Sequence, residues 1–224
     1  MKQQRTLRAQ ARSSLRWLIA RWVPLLSITA GLVLLTYVAT QYAQMYRSQK
    51  EMATRWSAQQ QAPHERRVID PTLTRIIIPK IGMEDFVVEG TSHKALLLGP
   101  GHLEGSAEPG DPGNVVISGH RDTFFRHVYE LTKGDRVQIE RAGKTAIYEV
   151  IGKKVVDPDD VEVLRPTKDS RLTLITCYPT YYVGPAPQRT IVTAKLVSVE
   201  DAASDKASPS DAPPSQVSVR RTTE

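Results

Sequence analysis

The chain has 224 residues and a formal net charge of +6, but nearly all of the excess positive charge lies at the N-terminal end. Residues 1–63 hold nine Lys and Arg residues against one acidic residue, whereas residues 64–200 hold 18 against 19. Proteins that bind nucleic acid carry their basic charge on the binding domain, so this distribution argues against nucleic acid as a partner. Cys177 is the only cysteine, which excludes an intramolecular disulfide and leaves the fold to depend on its core.

The N-terminal 46 residues predict a membrane anchor. Residues 22–46 contain no charged residue and no histidine, and they exceed the roughly 20 residues that a helix needs to cross the hydrocarbon layer. Trp22 and Tyr46 lie at the two ends, where amphipathic aromatic residues favour the membrane interface. Six basic residues in segment 1–21 predict an N-terminus in the cytoplasm and place everything after residue 50 outside the inner membrane. A cleaved signal peptide is the alternative, but its apolar region would be about 7–15 residues long.

The exported part is predicted as a stalk or linker at 47–71, a folded domain at 72–200 and a disordered tail at 201–224. The linker is polar, and the tail is too rich in Ser, Ala, Pro and Asp to bury a core. Between them lie many short β-branched or alternating segments bounded by Gly and Pro, which predict an all-β barrel or sandwich. These predicted strands are residues 75–79, 86–90, 114–118, 135–140, 145–150, 171–176 and 190–197. Only weak helical patterns are present, at 92–98 and 124–131.

Three residues that can perform acyl-transfer chemistry are placed at strand ends. Cys177 ends one predicted strand, His120 follows another by two residues, and Arg189 precedes the strand after Cys177. If the Cys177 and Arg189 strands pair antiparallel, and the His120 strand lies parallel to the Cys177 strand, all three residues share one rim. A thiol is the nucleophile of such a site, histidine carries protons near neutral pH, and a guanidinium stabilises an oxyanion. Taken singly, a cysteine, a histidine or an arginine at such a position is more often structural than catalytic, and it is their common location that favours catalysis.

The segments around these residues carry a family resemblance. Thr173-Leu174-Ile175-Thr176-Cys177 resembles the sortase signature Thr-Leu-x-Thr-Cys, and Gly119-His120-Arg121 resembles the sortase histidine motif. Gln188-Arg189-Thr190 resembles the arginine motif, and the order of the three motifs also matches. The resemblance covers about residues 72–199. The continuation Cys177-Tyr178-Pro179 and the Gly184-Pro185 stretch resemble class D members most.

The resemblance implies an eight-stranded β-barrel with short helices and a cysteine transpeptidase activity. Such an enzyme cleaves a C-terminal sorting signal, Leu-Pro-x-Thr-Gly or a relative, in exported proteins. It then transfers the threonyl carbonyl from the cysteine thioester to an amine of peptidoglycan or of another protein. The implied roles are nucleophile for Cys177, acid and base for His120, and oxyanion stabilisation for Arg189. Two alternatives remain open, namely a cysteine endopeptidase that mainly hydrolyses and a non-catalytic anchored barrel that binds envelope partners.

Further residues are candidates for substrate contact or for positioning. An extended apolar peptide suits a groove walled by loops, and the predicted contacts are Thr176, Tyr178, Tyr181, Tyr182, Val183, Ala186 and Pro187. Asp122 either orients Arg121 or His120 or caps a turn. No cofactor and no metal are predicted, because the other histidines lack ligand spacing. The acidic cluster Asp157, Asp159, Asp160 and Glu162 has the composition of an ordinary turn.

Overall fold

The computed structural model describes residues 2–62 and 70–201, with side chains from residue 21 onward. One long helix, α1 (Lys2–Gln61), precedes the barrel strands. A short helix, α2 (His93–Leu96), and three single 3-10 turns lie among the strands. The strands are β1 (Thr74–Ile78), β2 (Met83–Glu89), β3 (Gly101–His102), β4 (Gly113–Gly119), β5 (Arg136–Arg141), β6 (Lys144–Val156), β7 (Ser170–Tyr178) and β8 (Gln188–Asp201).

The eight strands form a closed barrel in the order β1-β2-β3-β4-β7-β8-β6-β5. The predicted eight-stranded barrel is therefore confirmed. Seven of its strands correspond to the predicted segments; β3 has two residues and no alternation that a sequence pattern would reveal. The weak helical patterns correspond to α2 and to a 3-10 turn at Val128–Glu130.

Alternation along the strands decides which side chains fill the barrel. Val115 and Ile117 of β4 lie beside Leu172 and Leu174 of β7, and all four are completely buried. The intervening residues of these strands face outward, because successive side chains of a strand point to opposite faces. The inward-facing residues form one continuous apolar core, and the outward-facing ones are available to build a surface groove.

Helix α1 changes its surroundings along its length. By length and composition its part from Arg21 onward is able to cross a bilayer, and none of its most apolar window is buried. From residue 41 one face packs against the barrel and is half-buried, with a spacing of three or four residues: Gln41, Met45, Ser48, Gln49, Met52, Trp56 and Gln59. The helix continues to Gln61, so residues 47–61 of the predicted linker are helical. Residues 63–69 and the predicted tail from 202 onward lie outside the described residues.

One glutamine fastens this helix to the barrel. The Gln49 amide nitrogen donates to the carbonyls of Phe86 and Leu98, at 3.0 and 2.8 Å. Its amide oxygen accepts from the Phe86 N–H at 2.8 Å. Further along α1, the Trp56 ring meets the Phe86 ring edge-on, with centroids 6.0 Å apart. The C-terminal part of α1 is thus attached to β2 by polar and aromatic contacts together.

Candidate active site

The strand pairing brings Cys177 and Arg189 together. β7 and β8 are antiparallel, and Cys177 lies directly opposite Arg189 in their register. Directly opposed residues place their side chains on the same face, with Cβ atoms roughly 4.5–5.5 Å apart. Ile175, two residues before Cys177, shares that outward face. The thiol and the guanidinium are therefore neighbours at one end of the barrel wall.

The third residue reaches the same rim through a parallel pairing. β4 runs parallel to β7, and Gly119 is the register partner of Thr176. His120 follows Gly119 just as Cys177 follows Thr176. Because neighbouring strands lie about 4.8 Å apart, His120 and Cys177 lie side by side at the ends of their strands. The antiparallel and parallel pairings on which the common rim depended are both present.

Local packing explains why a glycine precedes the histidine. A Cβ on Gly119 would lie 2.5 Å from the Phe125 ring, and Phe125 is completely buried. The Phe125 N–H donates to the His120 carbonyl at 3.0 Å, which closes the turn after β4. The Thr176 hydroxyl donates to the Gly119 carbonyl at 2.9 Å, linking the two motifs one residue before each reactive side chain. Thr176 is only 3% exposed, so its position favours support of the strand ends over contact with a substrate.

The imidazole of His120 is half-buried, and burial lowers its pKa below the ordinary value of about 6.5. The Asp122 carboxylate acts in the opposite direction, while His93 reinforces the lowering. The His93 ring meets the His120 ring edge-on, with centroids 5.7 Å apart. The His120 Nε2 atom is buried and has no hydrogen-bond partner among the described residues. At neutral pH this side chain is thus mainly a neutral imidazole.

Arg121 organises the loop that follows Cys177. Its guanidinium donates to the carbonyls of Pro179, Tyr182 and Gly184 at 3.0, 2.8 and 2.9 Å. It also lies 5.7 Å from the centroid of the Tyr182 ring, within the range of a cation–π contact. No sequence pattern indicated these contacts, because the acceptors are main-chain atoms about 60 residues away.

The Arg189 guanidinium has N–H groups that donate to no described residue and are therefore available to a ligand. Both hydrogen bonds that it makes to described residues use Nη1, which donates to the carbonyls of Ala186 and Gln188 at 3.1 and 2.9 Å. Nε and Nη2 make no hydrogen bond to the described residues, and Arg189 lies opposite Cys177 in the strand register. An oxygen that develops negative charge near the sulfur would meet a permanent cation whose orientation is already fixed.

A cavity of about 180 Å³ opens on the outer face of the barrel beside Arg189. Its floor comes from alternate residues of three strands: Val116 and Ser118, Ile175, and Ile191. Its wall is the segment between β6 and β7, chiefly Val161, Val163 and Leu164. An apolar floor of alternating strand residues suits an extended peptide.

The substrate contacts predicted in the loop between β7 and β8 lie outside the cavity beside Arg189. Tyr181 and Val183 are 82% and 100% exposed, and Tyr182 is 48% exposed. Tyr178 and Ala186 are half-buried, and Pro187 is exposed. None of the seven predicted contacts lines the cavity beside Arg189. The apolar residues Val161, Val163 and Leu164 in an otherwise polar segment were the sequence signal for its wall.

His102 and Asp160, two of the remaining candidate ligand residues, have ordinary structural partners. His102 is buried, with Nδ1 3.0 Å from Glu89 and Nε2 2.9 Å from the Ser106 hydroxyl. The Asp160 carboxylate accepts from the Glu162 N–H at 3.1 Å, as a turn cap does. Across residues 21–62 and 70–201, no group of three His, Cys, Asp or Glu side chains is arranged to hold a metal ion.

Comparisons with known proteins agree with this architecture. Sortase D of Bacillus subtilis (strain 168) is 43% identical over 122 residues, which are 54% of this chain and 62% of that protein. Sortase A of Listeria monocytogenes serovar 1/2a (strain ATCC BAA-679 / EGD-e) is 31% identical over 112 residues, 48% of this chain and 50% of the relative. The chain thus spans between half and two thirds of the length of these relatives.

A solved structure and a family model complete the comparison. The structure of a Clostridium perfringens Sortase D5 transpeptidase matches with a TM-score of 0.57 at 27% identity, covering 70% of this chain and 99% of the other. The sortase domain model matches residues 76–197, more than half of the chain, and this range contains His120, Cys177 and Arg189. The chain belongs to the sortase family.

Proposed function

We propose that this protein is a membrane-anchored cysteine transpeptidase that acts on a sorting signal in exported proteins. The observation that supports it most strongly is the register of the rim, with Cys177 opposite Arg189 and His120 on the adjacent parallel strand. A thiol, an imidazole and a guanidinium at one rim are the groups that acyl transfer through a thioester requires.

In the proposed first step, the Cys177 sulfur attacks the threonyl carbonyl of the signal. The Cys177 proton passes to the neutral His120 imidazole, and the carbonyl oxygen becomes an oxyanion against the free donors of Arg189. The carbon–nitrogen bond then breaks. His120 returns its proton to the departing amine, and the acyl group remains on sulfur as a thioester.

In the second step, an amine attacks the thioester carbonyl and His120 takes the proton that the amine loses. The carbon–sulfur bond breaks, the new amide leaves, and the proton returns to the Cys177 sulfur. The cavity beside Arg189 would hold the residues of the signal before the threonine, since its apolar floor leads along β7 to Cys177. A Leu-Pro-x-Thr-Gly-like motif, with its apolar leucine and proline, fits this lining.

The proposed setting follows from the N-terminal segment. Residues 1–21 would lie in the cytoplasm, residues 22–46 would include the span through the inner membrane, and the barrel would lie outside. The basic residues before the span support this orientation, and the exposed apolar surface of α1 supports the span itself. The partners are exported proteins with a C-terminal sorting signal and an amine of peptidoglycan or of another protein.

The test uses the full chain in detergent micelles, a panel of labelled sorting-signal peptides and an added amine. The expected result is cleavage after threonine with formation of the amide product, and loss of both in Cys177→Ala. Cleavage that gives only free acid at every amine concentration would favour an endopeptidase instead. A folded protein that neither cleaves nor transfers any peptide would support a binding barrel and contradict the proposal.

A further inference from the structure

A second cavity lies on the outer face of the barrel, next to the cavity beside Arg189. It has a volume of about 300 Å³, and Val163 and Ile191 line both cavities. Its floor includes Thr173 of β7 and Thr193 of β8, which lie opposite each other in the strand register. The two cavities together therefore form one groove that runs from the reactive rim down the outside of the barrel.

The side chains around the second cavity are mainly cationic. Lys154, Arg165 and Arg171 line it against a single carboxylate, that of Glu162, and we call it the basic cavity. The Lys154 Nζ lies 3.7 Å from the nearest oxygen of Asp160, and the Arg165 Nη1 lies 3.6 Å from that of Glu162. Both distances are too long for a hydrogen bond, so these cations keep their donors for another acceptor.

Arg171 has the most donors without a partner. Only its Nη2 donates to a described residue, the Asp169 carboxylate, at 3.0 Å. Its Nε is buried and has no hydrogen-bond partner among the described residues. A buried donor without a partner costs free energy, and a carboxylate matches the planar fork of a guanidinium. The basic cavity is therefore suited to a carboxylate ligand.

A buried polar contact holds the basic cavity in shape. Asn114 is 3% exposed, and its amide nitrogen donates to the carbonyls of Val163 and Arg165 at 3.0 and 3.2 Å. Its amide oxygen accepts from the Thr173 hydroxyl at 2.6 Å. These bonds fix the segment between β6 and β7 over β4 and β7. The cavity is thus formed before a ligand arrives, which reduces the ordering cost of binding.

The distance from Cys177 indicates which part of a substrate would lie in the basic cavity. Thr173 and Arg171 precede Cys177 on β7 by four and six residues, which is roughly 13–20 Å along the strand. An extended peptide has nearly the same rise per residue. With the threonine of Leu-Pro-x-Thr at Cys177, residues four to six before that threonine reach the basic cavity. These are the first three residues before the leucine.

We propose that the basic cavity binds an acidic side chain of the exported protein, located within three residues before the sorting motif. This inference rests on the proposed transpeptidation, because it adds a specificity-determining contact for the first substrate. The carboxylate accepts from donors of Arg171 that have no other partner, and Lys154 adds a second positive charge. No bond forms or breaks in the basic cavity, so the contact acts on substrate binding and appears in KM.

The test measures kcat/KM of the full chain in detergent micelles for cleavage of labelled sorting peptides. The peptides carry Glu, Gln or Lys at each of the three positions before the leucine, with alanine at the other two. At the preferred position we expect the Glu peptide to exceed the Gln peptide by roughly fivefold, mainly through KM, and the Lys peptide to be poorest. This preference should weaken as the salt concentration rises.

The variants change the cavity and leave the reactive rim intact. Arg171→Gln should reduce the ratio of kcat/KM between the Glu and Gln peptides to less than about twofold. Arg136→Gln, the same change at an exposed residue of β5, should keep the wild-type ratio. Lys154→Glu should favour the Lys peptide over the Glu peptide, and its side chain is 55% exposed, so this variant carries the test if Arg171→Gln does not fold.

Two results would overturn the inference. One is equal kcat/KM for the Glu and Gln peptides at all three positions, and the other is a preference for Glu that persists in the folded cavity variants. A folded wild-type chain that cleaves none of the peptides would instead count against the proposed function itself.

Discussion

Replacement of Arg121 by alanine should impair catalysis without unfolding the barrel. The side chain joins the turn after His120 to the loop after Cys177 through three main-chain carbonyls and one aromatic ring. Each hydrogen bond contributes a net stabilisation of about 0.5–1.5 kcal/mol, and an exposed cation–π contact contributes about 0.5–1 kcal/mol. Because two of the three bonds are exposed to solvent, we take a total of about 2–3 kcal/mol.

The Arg121 contacts stabilise the ordered conformation of the loop after Cys177, so their loss should increase local opening of that loop. If the reaction requires the ordered loop, 2–3 kcal/mol corresponds to a loss in kcat/KM of about 30- to 150-fold. Arg121→Lys keeps the charge but not the planar fork of donors, so we expect a loss of roughly tenfold. Arg136, which is exposed on β5, supplies the matched control Arg136→Ala.

The assay combines kcat/KM for a labelled sorting peptide with hydrogen exchange of the amides between Tyr178 and Gln188. We expect faster exchange in this loop alone, in the order wild type, Arg121→Lys, Arg121→Ala. Unchanged loop exchange together with kcat/KM within twofold of the wild type would refute the role assigned to Arg121. A fall in the unfolding temperature of the whole barrel would show that the effect is not local.

Three further predictions follow from single contacts. Gly119→Ala places a Cβ 2.5 Å from the Phe125 ring and should cost about 1–3 kcal/mol, lowering Tm by roughly 4–12 °C in calorimetry. Gly152→Ala, which has open space at its Cβ, is the control, and an equal effect in both would contradict the packing argument. Asp122→Asn removes the charge that raises the pKa of His120, so the acidic limb of the kcat/KM profile should move to lower pH; a move to higher pH would contradict this assignment. Gln49→Ala should destabilise the barrel of the full chain in micelles by about 1.5–3 kcal/mol in denaturant titration, whereas the exposed Gln44→Ala should not; equal stabilities would show that α1 is not attached through Gln49.

Much of the fold was predictable because strand patterns are local. β-branched runs and Gly or Pro boundaries located seven strands, although β6 continues six residues beyond its predicted end at 150. The helical continuation of α1 through 47–61 was not predictable from apolar periodicity. Its barrel-facing positions include Ser48 and three glutamines, and Gln49 makes its contacts to main-chain atoms that no side-chain pattern encodes.

The three reactive residues at the rim could be placed together from the sequence, but the groups that surround them could not. Strand ends and motif order placed Cys177, His120 and Arg189 together, and the observed register supplied the pairings that this required. The wall formed by Val161, Val163 and Leu164 was missed because it depends on a segment folding back over the outer face of β4 and β7. The role of Arg121 was missed because its acceptors are carbonyls of a distant loop.

The most direct test of the central claim is intact-protein mass spectrometry after brief exposure of the full chain to a sorting peptide. We predict one added acyl mass, located on Cys177 by digestion, that disappears on addition of an amine and is absent in Cys177→Ala. Turnover that persists in Cys177→Ala, or an acyl adduct on another residue, would contradict the claim that this thiol is the nucleophile.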